Sequence, residues 1–375
     1  MPQVVGCHMV GSVPLPDTET VLRTCTAAQP NRLKRIPDGE TGFRNFFTFW
    51  QAETFKASPE LITKFTANNL PIPPSEFSQE QVDEHVDKLK SAGPLETNYD
   101  NVAIQSYQVF KRLKDEGVVP LNTRFQVSIA TAPNTLTPFV QFPFQAKVEP
   151  LYQDALDRAI RNIQEHIPHD QLAIELDLAV ETAFWEGHSI FQPWYGNGDM
   201  GEVKKHIVEN VVHTMNLVDK DVEVGLHNCY GKLHTNRGGR AWRLTSIPGD
   251  MEHRHFMEPT SLAAITERGL QLFEHASRPI NFFHVPVPKS ALDKLETYFE
   301  PLKELIPKFK EHNTDLYLGV VHYDDRAATD KMLEAAKKVI DYPFGVATEC
   351  GWGRTPSDQI NDIMKTATEI SEPAF

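Results

Sequence analysis

Short apolar and β-branched runs recur along the chain. Each is followed by a longer stretch with apolar positions three and four apart, the alternation expected of successive strand–helix units. The runs fall at residues 4–8, 33–37, 125–130, 172–177, 222–227, 280–284, 316–321 and 344–348. Helical spacing fills the intervals. Asp17 is placed to N-cap a helix, 152–165 and 203–218 are amphipathic, 262–275, 291–310 and 326–340 continue the series, and a last helix starts around Ser357. An open sheet of eight parallel strands would expose its edges, so the pattern predicts one α/β domain over 1–375, a closed (β/α)8 TIM barrel. Two stretches break the repeat: about 46–98, rich in Pro, Ser and Glu, and the polar 231–258. Both exceed ordinary βα loops and read either as lids over the barrel mouth or as surface decoration.

Charge narrows the partners. With 51 acidic against 37 basic residues the formal charge is −14, which disfavours phosphate backbones and anionic membrane surfaces and leaves a small-molecule substrate as the expected partner. No run approaches the roughly 18 apolar residues of a membrane span. The opening MPQVVGCHMVGSVPLPD lacks a basic region followed by an apolar one, so a cytoplasmic protein is expected. Four cysteines, at 7, 25, 229 and 350, are too few and too scattered for a disulfide framework. Reduced thiols follow, and a thiol beside a histidine then points to a metal or to catalysis.

Polar residues gather where such a barrel keeps its chemistry. His8, Asp38 with Glu40, Thr131, Asp177, His227, His284, Tyr323 and Cys350 each fall at or just past the C-terminal end of an expected strand. In LHNCY, His227 and Cys229 are two apart in an extended segment and project to one side, so imidazole and thiolate can meet one ion; zinc favours such a mixed set. Cys350, in ATECGWGR, reaches the same rim as a third ligand. His284, between Phe283 and Val285, is either the fourth ligand or a core histidine donating to a backbone carbonyl. Cys7 and Cys25 read as buried thiols. His234, His253 and His255 lie in the long polar stretch, near the metal or in solvent.

VGSVPLPD, RIPDGETGFR, HNCY and ECGWGR together resemble the barrels related to the catalytic domain of cobalamin-independent methionine synthase, over nearly the whole chain. The resemblance implies a zinc enzyme in which His227, Cys229 and Cys350 hold the metal and His284 stands where the family has a glutamate. The metal there activates a thiol for methyl transfer. The resemblance also places Ser12, Glu40, Asp177 and Glu181 in the substrate pocket, with N-cap, turn or supporting roles as the alternative for each. Two departures weigh against folate as the methyl donor: TAPNTLTPF has no neighbouring tryptophan to stack a pterin, and Arg326, in HYDDR, stands where the family has a catalytic histidine. His322 could supply that acid–base function if the chain shifts by a turn, and strand alternation equally offers Tyr323 or Asp324 to the pocket.

Three functions remain in play. The first is a zinc-dependent methyl or alkyl transferase acting on a thiol. The second is a zinc lyase, hydrolase or isomerase that polarises a carbonyl or water, with Asp177 or Glu40 as base. The third is a noncatalytic barrel with a closed structural zinc.

Overall fold

The computed structural model describes residues 2–375 apart from 46–47, 66–71, 73–75, 189–190, 231–254, 256 and 354. Strands appear at all eight expected places: β1 (Val4–Cys7), β2 (Arg35–Pro37), β3 (Arg124–Ala130), β4 (Leu172–Leu178), β5 (Glu223–Asn228), β6 (Phe282–Pro286), β7 (Asp315–Gly319) and β8 (Phe344–Ala347). All pair in parallel in the order β1-β8-β7-β6-β5-β4-β3-β2. A parallel bridge between Cys7 and Leu33 joins the two end strands and completes the barrel.

The helices are α1 (Thr18–Ala28), α2 (Gln79–Ser91), α3 (Tyr99–Asp115), α4 (Ala132–Phe139), α5 (Phe142–His166), α6 (Val180–Trp185), α7 (Met200–Asn216), α8 (Ala263–His275), α9 (Leu295–Phe299), α10 (Ile306–His312), α11 (Arg326–Val339) and α12 (Ile360–Ile370). Asp17 caps α1 as expected, accepting from Thr20 N at 2.8 Å. The single helix expected over 291–310 is instead broken into short pieces. Pro301 and Pro307 lack the amide hydrogen that an uninterrupted helix needs, and each lies in the first turn of a new segment. The last helix starts at Ile360 rather than near Ser357.

The stretch expected as lid or decoration over 46–98 is in part built structure. Its helix α2 opens on a Ser78/Gln81 capping box and buries Val82, Val86 and Leu89. Gln51 is fully buried, donating to Thr97 O at 2.9 Å and accepting from Tyr152 of α5 at 2.8 Å. Most of 231–258, with His234 and His253, lies outside the described residues. Among the described residues no helix is long and apolar enough to cross a membrane.

The barrel interior is polar for a packed core, and its floor explains how. Arg35 is buried at the N-terminal end, with Nε 2.5 Å from Glu223, Nη2 2.9 Å from Asp315 and the guanidinium 4.3 Å above the Phe282 ring. Phe282 and Tyr317 fill the space beside it because Gly225 and Gly345 carry no side chain. A Cβ on either would sit 2.2 Å and 2.5 Å from those rings. Chemistry is thereby pushed up to the strand ends.

Candidate metal centre

Parallel pairing sets Asp177, His227 and His284 side by side across β4, β5 and β6. His227 and Cys229 leave the end of β5 on one side of the chain, and Cys350 follows β8 more than a hundred residues later. Their ligand atoms lie within 4.8 Å of one another, and the two sulfurs are 3.7 Å apart. Two thiolates on a tetrahedral zinc, with bonds of about 2.3 Å, are about 3.8 Å apart. The donor set and its spacing therefore fit zinc. Cys7 and Cys25 stand apart as expected: both are buried, and burial pushes their thiols up to about 11 and about 12.

His284 departs from the fourth-ligand expectation. Its Nε2 is 3.0 Å from the carbonyl oxygen of Thr348 and its Nδ1 is 2.8 Å from Nδ1 of His227, so both ring nitrogens are engaged. Asn228 holds its backbone, donating to His284 O at 3.0 Å, and buried Arg268 donates to Asn228 at 2.7 Å.

Ser12, expected against substrate or in a turn, holds the Cys350 turn. Its carbonyl accepts from Trp352 N at 2.7 Å and its hydroxyl from Gly353 N at 3.2 Å. A Cβ on Gly351 would sit 2.7 Å from that hydroxyl, which accounts for the glycine. Glu181 is buried on α6, bound by Thr131 and by Asn134 at 2.9 Å, a supporting position rather than an open one. Arg326 is carried away from the barrel mouth: its side chain is 46 % exposed and pairs with Asp330 and Glu369, both at 2.7 Å. The expectation of a catalytic role there is corrected by geometry. Position 326 opens an outer helix, whereas Tyr323 lines a cavity of about 30 Å³ with His255, His322, Glu349 and Cys350.

Glu40 takes a left-handed backbone, φ 44°, after Gly39, and its amide donates to Asp38 at 2.8 Å. Asp38 is itself fixed by Arg44 and Ser106, both at 2.7 Å. This turn aims the Glu40 carboxylate at Gly11, where a Cβ would stand 3.3 Å from Oε2. Glu40 and Asp177 are neighbours of a carboxyl that sequence reasoning missed, Glu175. It is fully buried, 2.6 Å from Nε2 of His8. Burial pushes Glu175 up to about 8 and His8 well below the usual imidazole range, so the contact is a shared proton between neutral groups rather than an ion pair. The available signal was strand parity, since Glu175 shares a side with Asp177. Glu349, which accepts from Tyr230 and lies 3.6 Å from Nδ1 of His322, was also missed. It had no signal beyond adjacency to Cys350.

Burial, and then Glu175 and Glu40, raise the Asp177 carboxyl well above its ordinary range. The unfolded chain gives up this proton near the ordinary value and the folded chain only at higher pH. Between those points the folded state holds the extra proton, and its stability falls as pH rises. Asp177→Asn should therefore flatten the fall in denaturant midpoint of metal-free protein as pH rises above the ordinary carboxylate range. An unchanged slope would show that Asp177 ionises normally.

No family model and no curated protein matches the chain. Among solved structures it is similar to an apo β-glucosidase 1317, at 13 % identity over 73 % of this chain and 80 % of that one, TM-score 0.35. It is also similar to a GH18 chitinase from Pseudoalteromonas aurantia, at 10 % identity over 98 % and 99 %, TM-score 0.32. A third is a GH26 β-mannanase from Bacteroides ovatus, at 11 % identity over 94 % and 92 %, TM-score 0.35. At such identities and scores nothing about this chain's chemistry follows from theirs.

Proposed function

We propose that this chain is a zinc-dependent enzyme of the kind its motifs resemble, one that activates a small-molecule thiol for methyl or alkyl transfer. The observation that carries the reading is the convergence of His227, Cys229 and Cys350 at the strand ends. One nitrogen and two sulfurs suit zinc, and three protein ligands with one position left over is the arrangement of catalytic rather than structural sites. Zinc, when bound, lowers the pKa of a coordinated thiol so that thiolate persists at neutral pH. The chain's own groups do the rest. Ser12 and the glycines of the Cys350 turn hold that ligand in place. Glu40 and Asp177 supply neighbouring carboxyl groups, and Tyr323 with His322 lines the cavity beside Cys350.

One observation favours a lyase, hydrolase or isomerase as a second reading. Asp177 Oδ1 is buried without a hydrogen bond among the described residues, and a carboxyl kept protonated in that way is a ready general acid. Cobalt substitution separates the two. Under the thiol reading, 2-mercaptoethanol intensifies the sulfur-to-cobalt absorption of the loaded protein. A spectrum indifferent to thiol, with turnover in the absence of any methyl donor, would favour the second.

A further inference from the structure

Three strands meet through a chain of contacts that no ligand role explains. The Thr348 carbonyl lies 3.0 Å from His284 Nε2, and His284 Nδ1 lies 2.8 Å from His227 Nδ1. A carbonyl oxygen only accepts, so Nε2 of His284 carries a hydrogen. A single proton occupies the gap between the two Nδ1 atoms. In the neutral ring with its hydrogen on Nε2, the Nδ1 of His284 is an acceptor. The proton therefore belongs to His227, and the unprotonated nitrogen of His227 is Nε2.

We infer that His284 is a positioning residue: hung from the Thr348 carbonyl, its imidazole accepts the Nδ1 proton of His227, presents His227 Nε2 to the metal, and leaves the fourth coordination position to an exchangeable ligand. Metal-bound histidines are commonly fixed by a partner on their second nitrogen, usually a carboxylate or carbonyl. Here a second imidazole fills that place and passes the bond on to the backbone. The same Thr348 donates its hydroxyl to Cys350 O at 2.7 Å, so the relay ties the β5 ligands to the β8 ligand in one hydrogen-bonded unit. The charge follows. Two thiolates and one neutral imidazole leave zinc formally neutral, and an incoming substrate thiolate makes the centre net negative. That favours a nucleophilic sulfur more than a closed His2Cys2 set, which has no place for one.

The inference rests on the metal reading, and zinc X-ray absorption on the full chain tests the two apart. Wild-type protein should show two sulfurs and one imidazole per zinc, and three sulfurs once 2-mercaptoethanol is added. His284→Gln, whose amide offers both an acceptor and a donor, should keep that signature. His284→Leu, which offers neither, should keep the coordination count at saturating zinc and bind it about 10–100-fold more weakly, the usual loss for an outer-shell partner. Two imidazoles per zinc in the wild type, falling to one in His284→Gln, would overturn the inference while leaving the metal reading intact. So would a sulfur count that stays at two with thiol present. A wild-type chain that takes up no zinc would end both.

Discussion

Cys350→Ser is expected to reduce zinc to well below one equivalent per chain after dialysis against a weak chelator, as read by elemental analysis. The serine hydroxyl stays protonated at neutral pH and is a poor zinc donor, so only His227 and Cys229 would remain from the protein. The loss should exceed the 10–100-fold in affinity typical of outer-shell changes, because a ligand itself is gone. The fold should survive. The turn is held by Thr348 Oγ1 on the Cys350 carbonyl and by Ser12 on Trp352 and Gly353, none of which involves the thiol. A metal-free variant should then unfold at the same denaturant concentration as metal-free wild type. A full equivalent of zinc in Cys350→Ser would remove this residue from the ligand set, and with it the ground for likening the chain to the methionine synthases.

Arg35→Met should be the most destabilising single change at the barrel floor. It removes the cation that Glu223 and Asp315 share and takes the guanidinium from Phe282, leaving Asp315 with Lys34 at 2.7 Å and Glu223 with Arg124 at 3.2 Å. Stripping one partner from a buried ionic group costs about 3–5 kcal/mol. The two carboxylates keep 23 % and 26 % of their side-chain exposure and a second cation each, which places the expected loss below that range, at about 2 kcal/mol in a urea titration. Adding Glu223→Gln and Asp315→Asn to Arg35→Met should recover little, because Lys34 and Arg124 then lose their own partners. If Arg35→Met alone unfolds within about 0.5 kcal/mol of wild type, the size expected of an ordinary surface change, the triad contributes little and the polar floor is tolerated rather than stabilising.

The eight strands were legible because each is a short apolar run whose period differs from that of the helix after it, a local property. Helix breaks were less so. The prolines at 301 and 307 were visible, yet the apolar spacing of 291–310 masked their effect on continuity. His227, Cys229 and Cys350 were readable from parity and strand-end position. Glu175 escaped notice because a carboxyl inside an apolar strand is unremarkable until its neighbours across the barrel are known. His284 shows the limit most clearly. Its sequence setting suited a metal ligand and a hydrogen-bonded core residue equally, and only the folded chain shows the Thr348 carbonyl, just past β8, at 3.0 Å from its Nε2.

By itself, then, the order of residues determined the alternation of strand and helix, the barrel and the rim on which polar groups collect, since periodicity and parity are carried within a few residues. The tertiary structure alone decided which rim groups meet. It turned Arg326 out to Glu369 and Asp330, set Ser12 behind the Cys350 turn, and used up both nitrogens of His284. The physical reason is range: hydrogen bonds and ion pairs act over about 3–4 Å, and most of these join residues from about 40 to more than 300 positions apart, a proximity fixed only when the barrel closes.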